Sequence, residues 1–238
     1  MRGKGFTFKQ FHINHGKCAM KVGTDGTLLG AWAAIPDECQ RILDIGTGSG
    51  LIAIMAAQRH SKAHISAIDI DADCITQTLE NIEACPWSER IEAFNSSLQE
   101  FAPEAKFDVI ISNPPFFVDS QLPPDQQRSM ARHTATLSFK ELTDGVLRLL
   151  APGGRFSLIL PPAETDRFLS AARGRLFVTR RTEVHSTPTS GVKRIMTELQ
   201  ADPPAEPATT EQLIIEDQGM LGFSEKYKAL TKDFYLKF

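Results

Sequence analysis

The chain has 238 residues, 42% of them hydrophobic and 23% charged, which suits one globular domain and excludes a disordered chain. No stretch approaches the roughly 18 apolar residues of a membrane helix, and Met1-Arg2-Gly3-Lys4-Gly5-Phe6 has no apolar core behind it; no signal peptide or membrane partner is expected, and the expected location is cytoplasmic. The net charge of −3 excludes a uniformly positive surface but leaves room for one basic patch.

Cys18, Cys39, Cys74 and Cys85 include no pair at metal-ligand spacing. They are expected to be packing thiols, and no metal is expected. Strands and helices alternate along the chain. Residues 41–45 form a short apolar run ending in glycines, and 51–58 read as the helix that follows. Residues 64–68 are a second strand. Asp71 or Asp73 can cap a helix from Cys74 to about Ala84, with Pro86 beyond it. A third strand spans 90–94 and a fourth 107–112, stopped by Asn113-Pro114-Pro115. Residues 139–150 are a helix ended by Ala151-Pro152-Gly153-Gly154, and 155–160 a fifth strand. Residues 176–187 and 192–200 read as a hairpin, and 202–210 as an exposed loop. Short apolar strands separated by helices predict an α/β fold, with a mostly parallel sheet covered on both faces. Ligands of such sheets lie beyond the carboxyl ends of the strands, where strand order reverses.

Asp44-Ile45-Gly46-Thr47-Gly48-Ser49-Gly50 follows the first strand and opens a helix. A dinucleotide fingerprint needs G-x-G-x-x-G, but the third glycine would fall at Leu51 or Ala53. G-x-G-x-G preceded by an acid resembles instead the S-adenosylmethionine (SAM) loop of class I methyltransferases. Asp44 could then hold the ammonium of the methionine tail. Gly46, Thr47, Gly48 and Gly50 would let the tail pass close to the backbone. Asp69 ends the second strand and can accept both ribose hydroxyls; Ile70 could cover the adenine. Ser97 stands where this family often carries an acid facing the adenine amine, so serine is a departure.

Asn113-Pro114-Pro115-Phe116 is the most specific signal. Two prolines fix the backbone and remove two N–H donors, leaving carbonyl acceptors. An exocyclic amine is a poor nucleophile because its lone pair is delocalised into the ring. If the Asn113 side-chain oxygen and the Pro114 carbonyl accept its two N–H bonds, the nitrogen is drawn toward tetrahedral geometry. Phe116 offers a flat face for the target base. No strong base is required, so His133 is not expected to be one.

With these motifs the chain resembles the N-P-P-[FY] type of SAM-dependent N-methyltransferases. Residues 8–13 and 20–32, Asn113-Pro114-Pro115-Phe116-Phe117 with Arg128, Ala131-Arg132-His133 and Leu137-Ser138, and residues 227–235 are similar to the bacterial methyltransferases that modify the adenine 3′ of the anticodon in a valine tRNA. The resemblance implies a Rossmann-like class I fold. It would have a mostly parallel seven-stranded sheet, helices on both faces and an antiparallel edge hairpin. Residues 1–238 would be one domain, with 1–35 a cofactor-covering segment and 201–238 a C-terminal extension. Asn113, Pro114, Pro115 and Phe116 would be catalytic. Lys21, Thr24, Asp25, Asp44, Gly46, Thr47, Gly48, Gly50, Asp69, Ile70, Ser97 and Asn113 would line the SAM site. Thr24 or Asp25 could equally cap the helix that starts there.

Residues 167–194 carry seven basic residues and one acid, whereas 198–217 carry six acids and no Lys or Arg. A small enzyme must grip an anticodon loop by its phosphates. Arg128, Arg132, His133, Arg173, Arg175, Arg180, Arg181, Lys193 and Arg194 are the expected RNA contacts. Lys226, Lys228, Lys232 and Lys237 are either further phosphate contacts or a solvated helix face. The expected activity is methylation of N6 of adenine 37 in valine tRNA by SAM, with the anticodon stem-loop as partner and a monomer as the expected state. An rRNA guanine-N2 or protein-glutamine methyltransferase, and a non-catalytic RNA-binding protein on the same fold, are the alternatives.

Overall fold

In the computed structural model, which describes residues 5–115, 137–220 and 222–237, the chain opens with a small antiparallel hairpin, β1 (Gly5–Thr7) and β2 (His12–Asn14). Helix α1 (Thr24–Trp32) follows. The alternating core then runs β3 (Arg41–Ile45), α2 (Leu51–Arg59), β4 (His64–Asp69), α3 (Ala72–Glu83), β5 (Ile91–Asn95) and β6 (Phe107–Ser112). After residues 116–136 come α4 (Phe139–Leu149), β7 (Leu150–Leu160), α5 (Pro162–Ala171), β8 (Phe177–His185), β9 (Val192–Gln200), β10 (Thr209–Ile214) and α6 (Glu225–Thr231).

These strands, β3 to β10, form one sheet in the order β10-β8-β9-β7-β6-β3-β4-β5. β3 to β7 are parallel, whereas β9 is antiparallel to both β7 and β8. The sheet therefore has eight strands, one more than expected. The extra strand is β10, which runs parallel to β8 from Thr209↔Arg180 to Ile214↔His185. Its Thr-Thr-Glu-Gln start is exposed and only Leu213 is buried, so no apolar alternation marks it. Residues 209 and 210 pair in this strand although their composition reads as loop.

Alternate residues of each central strand serve opposite cores. Ile42, Ile65, Ala67, Val109, Ile111, Ile159 and Met196 pack with α1, α2 and α6 residues such as Leu28, Ile54 and Tyr227. Leu43, Ile45, Ile68, Ile110, Phe156 and Leu158 pack with Leu142 and Val146 of α4 and Phe168 of α5. Burial on both faces explains the unbroken apolar runs. Each fully buried Leu, Ile or Phe contributes about 1.5–3 kcal/mol.

Local signals set the helix starts. Asp71 caps α3 by accepting from Asp73 N at 2.9 Å and Cys74 N at 3.5 Å. Ser138 and Glu141 form a reciprocal capping box at α4. At α1, Gly23 occupies the N-cap without a side-chain bond, so neither Thr24 nor Asp25 is the cap. The four cysteines are free and buried. Among the described residues, no helix is long and apolar enough to cross a membrane.

Candidate active site

Strand β3 has β4 on one side and β6 on the other, so its carboxyl end is where strand order reverses and a crevice opens. Asp44 pairs with Ala67 and with Ile111. Ile45 pairs with Ser112, whose Oγ donates to the Ile45 carbonyl at 2.9 Å. Asn113 thus emerges one residue beyond the strand next to Asp44, and Asp69 ends the strand on its other side. Three sequence-distant residues reach the same end of the sheet because three parallel strands end together.

The loop at 46–50 turns on left-handed glycines. Gly46 lies at φ 71° and Gly48 at φ 57°, where an L side chain is strained by roughly 1–2 kcal/mol. A Cβ at either would meet nothing within 4 Å, so this face of the loop borders open space. The loop is nonetheless held firmly. Gly46 N and Thr47 N donate to the Ile68 carbonyl at 2.9 and 3.0 Å. Gly48 N donates to Asp69 Oδ2 at 2.8 Å.

Asp44 is buried. Its Oδ2 accepts from Thr47 Oγ1 at 2.6 Å and from Ala53 N at 3.2 Å, while Oδ1 is buried with no partner among the described residues. Burial pushes the carboxyl up to about 7 against the two hydrogen bonds, and the Asp69 charge adds to the rise. A buried acceptor without a donor favours a cationic ligand group. Asp69 Oδ1 accepts from Asp71 N at 3.0 Å, and burial raises this carboxyl too. Each Asp69 oxygen keeps acceptor capacity for a ribose hydroxyl.

Asn113 Oδ1 is the second buried oxygen at this crevice without a partner among the described residues. Pro114 is buried and Pro115 exposed. Ile70 is exposed, available to cover a ring. The two orphaned acceptors, the open glycine face and the paired acid at Asp69 fit a ligand that carries an ammonium and an adenosine. Ser97 does not contribute as an acid would. Its Oγ donates to Glu100 Oε2 at 2.8 Å and accepts from Glu100 N at 3.2 Å, closing a local turn.

Lys21 and Thr24 are exposed. Asp25 is bound to Arg194 at 2.7 Å between Oδ2 and Nε, a pairing that spacing along the chain gives no sign of. Other expected RNA contacts separate by position. Arg173 and Arg175 follow α5 and precede β8, at the amino ends of the parallel strands and away from the crevice; Arg175 also pairs with Asp144 at 2.6 Å. Arg180 is turned inward, its guanidinium 3.8 Å from the Trp32 ring centroid and 3.3 Å from buried Glu198. Arg181 pairs with Glu183 at 3.1 Å. Lys193 and Arg194 begin β9, at the crevice end, and Lys193 is exposed. Phe116, Phe117, Arg128, Arg132 and His133 lie outside the described residues. Thr78 and Asn81 of α3 brace the glycine loop, donating to the carbonyls of Gly48 and Ser49 at 2.8 Å each. Buried polar residues three apart on an otherwise amphipathic helix were the available signal for them.

The family model for the methyltransferase small domain matches residues 25–157. The tRNA1(Val) (adenine(37)-N6)-methyltransferase of Parabacteroides distasonis is 46% identical, covering 98% of both chains. That of Phocaeicola vulgatus is 47% identical over 97% of both. In fold, the crystal structure of a predicted O-methyltransferase from Agrobacterium tumefaciens is similar, with a TM-score of 0.71 and 21% identity over 88% of this chain and 96% of that one. On these matches, and with the crevice built as described, the chain belongs to the family of tRNA1(Val) (adenine(37)-N6)-methyltransferases, on the methyltransferase small domain.

Proposed function

We propose that the protein transfers a methyl group from SAM to the exocyclic N6 of adenine 37, beside the anticodon of a valine tRNA. The observation that carries this reading is the orphaned Asn113 Oδ1, set beside the equally orphaned Asp44 Oδ1 at the mouth of neighbouring strands. SAM supplies an electrophilic methyl group on a sulfonium.

The chain's own residues do the rest by positioning. Asp44 holds the ammonium of the methionine tail and the loop at 46–50 gives it passage. Asp69 accepts the ribose hydroxyls. Asn113 Oδ1 and the Pro114 carbonyl accept the two N–H bonds of the adenine amine, so its lone pair is drawn out of the ring and aimed at the methyl group. The methylated nitrogen becomes acidic and loses its proton to water, which removes the need for a strong base. Pro115 adds a second residue without an N–H, so no donor competes for these acceptors. Ile70 packs on the adenine of SAM, and Phe116 stacks on the target base. Lys21 and Thr24 border the methionine part.

The target lies in an anticodon loop, where turning a base out costs least. Lys193 and Arg194 stand at the crevice end to meet its phosphates, with Arg128, Arg132 and His133 from the segment after the Asn-Pro-Pro turn. In this reading the protein acts in the cytoplasm as a monomer of one domain.

The test is methyl transfer from labelled SAM to total bacterial tRNA, rRNA and protein, followed by nucleoside mass spectrometry. N6-methyladenosine in tRNA alone is the expected result. Label in rRNA guanine or protein glutamine would keep the role of Asn113 and discard the substrate. SAM binding without label in any fraction would mean either a missing substrate modification or a non-catalytic binding module.

A further inference from the structure

The side chain of Asn81 is fully buried in α3, between the N-terminal hairpin and the glycine loop. Its Oδ1 accepts from Asn14 N at 2.9 Å, and its Nδ2 donates both to the Asn14 carbonyl at 2.8 Å and to the Ser49 carbonyl at 2.8 Å. One amide thus closes a two-bond ring with the end of β2 and spends its remaining donor on the loop. No other side chain of similar size offers one acceptor and two donors in this geometry. A carboxylate would confront two carbonyls, and an apolar isostere would leave the buried Ser49 carbonyl and both backbone groups of Asn14 without this partner.

The neighbouring turns of α3 extend the same arrangement. Thr78 donates to the Gly48 carbonyl at 2.8 Å, and its Cγ2 stands 3.0 Å from where a Cβ on Gly50 would lie. Gln77 Oε1 accepts from Lys17 N at 3.3 Å. One face of α3 therefore grips consecutive carbonyls of the glycine loop, while amides one turn apart tether residues 14 and 17. The tethered segment leads directly into Lys21, Thr24 and Asp25.

We infer that Asn81 is a positioning residue that joins the N-terminal segment and the glycine loop into one cofactor-binding unit, so that it sets affinity for SAM without taking part in methyl transfer. The inference rests on the proposed SAM site. Ligand pressing on the loop is felt at Asn14 through a single amide, and order in the N-terminal segment holds the loop ready.

The experiment compares the full-length wild type with Asn81→Ala and Gln77→Ala. SAM affinity is measured by calorimetry, KM and kcat with tRNA, and amide hydrogen exchange over residues 12–17 with and without SAM. For Asn81→Ala the expected result is a SAM Kd and KM raised about tenfold or more, the scale of a lost buried bond, with kcat at saturating SAM lowered by far less. In the wild type, SAM slows exchange at residues 12–17; in Asn81→Ala it does not. Gln77→Ala keeps the Ser49 bond, and it is expected to raise Kd by about threefold and to weaken the exchange response. Unchanged SAM affinity in a folded Asn81→Ala protein, or a fall in kcat alone, overturns the inference. If Asn81→Ala does not fold, Gln77→Ala decides: unchanged affinity and an unchanged exchange response overturn it. A wild type that binds no SAM overturns the functional reading and this inference together, whereas tight wild-type binding with indifferent variants overturns the inference alone.

Discussion

The guanidinium of Arg180 lies 3.8 Å from the ring centroid of Trp32 and donates to the Trp32 carbonyl at 2.9 Å, so that β8 holds down the carboxyl end of α1. Trp32 Nε1 returns a bond to Thr182 Oγ1 at 3.0 Å. At the other end of α1, Asp25 is held by Arg194. Two arginines from one hairpin thereby clamp both ends of the helix that precedes β3.

Arg180→Ala is expected to lower folding stability by about 1–2 kcal/mol through the lost stacking and hydrogen bonds, and to leave tRNA affinity within about twofold. Thermal melts beside filter binding make the comparison. A large fall in tRNA affinity at unchanged melting temperature would show that this side chain faces RNA after all.

Lys193 predicts the opposite pattern. It is exposed at the start of β9, at the crevice end of the sheet. Lys193→Ala should leave the melting temperature unchanged, weaken tRNA binding, and reduce the slope of log affinity against log salt by about one. An unaltered slope removes Lys193 from the phosphate contacts.

Asn113→Ala should hold SAM affinity within a few-fold and lower turnover by at least about a hundredfold, the scale of one lost transition-state contact. Asp69→Ala should do the reverse, raising the SAM Kd more than it lowers kcat at saturation. Single-turnover rates and calorimetry on the two variants separate these effects. Near-normal turnover in Asn113→Ala would sink the role given to its side chain.

The Asp44 carboxyl, raised by burial to about 7, couples SAM binding to pH. In the ligand-free chain it stays protonated at pH values where an unfolded carboxyl is already charged. Its contribution to stability is therefore fully present below the ordinary carboxylate range and is lost as pH rises through about 7. A bound ammonium wants the charged form, so affinity runs the other way: full above pH 7 and falling by up to about tenfold per unit below it. Calorimetry between pH 5.5 and 8, in buffers of different ionisation heat, should find a proton released on binding near pH 6. Asp44→Asn should bind weakly and flatten the dependence. A flat profile in the wild type would falsify the coupling.

The centre of the sheet was legible because its strands are buried on both faces and so read as short apolar runs; 41–45 and 107–112 are placed to the residue. Asp44, Asp69 and Asn113 were legible for a related reason, since a parallel strand delivers whatever follows it to one end. The misses share a different cause. β1 and β2 are three-residue strands that pair only with each other, and β10 is a polar edge strand whose pairing is decided by β8, earlier in the chain. The charge of Arg180 was visible, but the ring beneath it comes from a residue 148 positions earlier. Ser97 shows the same limit on a smaller scale: its hydroxyl suggests a role, and a local turn with Glu100 already engages its Oγ.

The crevice borrows its three key side chains from strands that pair only across long stretches of chain, with Asp44 and Asn113 becoming neighbours through the Ile45↔Ser112 register. Each such closure must be completed before any contact rewards it, and this makes parallel sheets slow to assemble. Asp44, the glycine loop and Asp69 come from the consecutive β3-α2-β4 unit, whereas Asn113 arrives only with β6, so a nascent chain stays catalytically silent until β6 docks against β3. Methyl transfer is therefore a stringent reporter of completed folding, and it should vanish on unfolding together with sheet pairing, not after it.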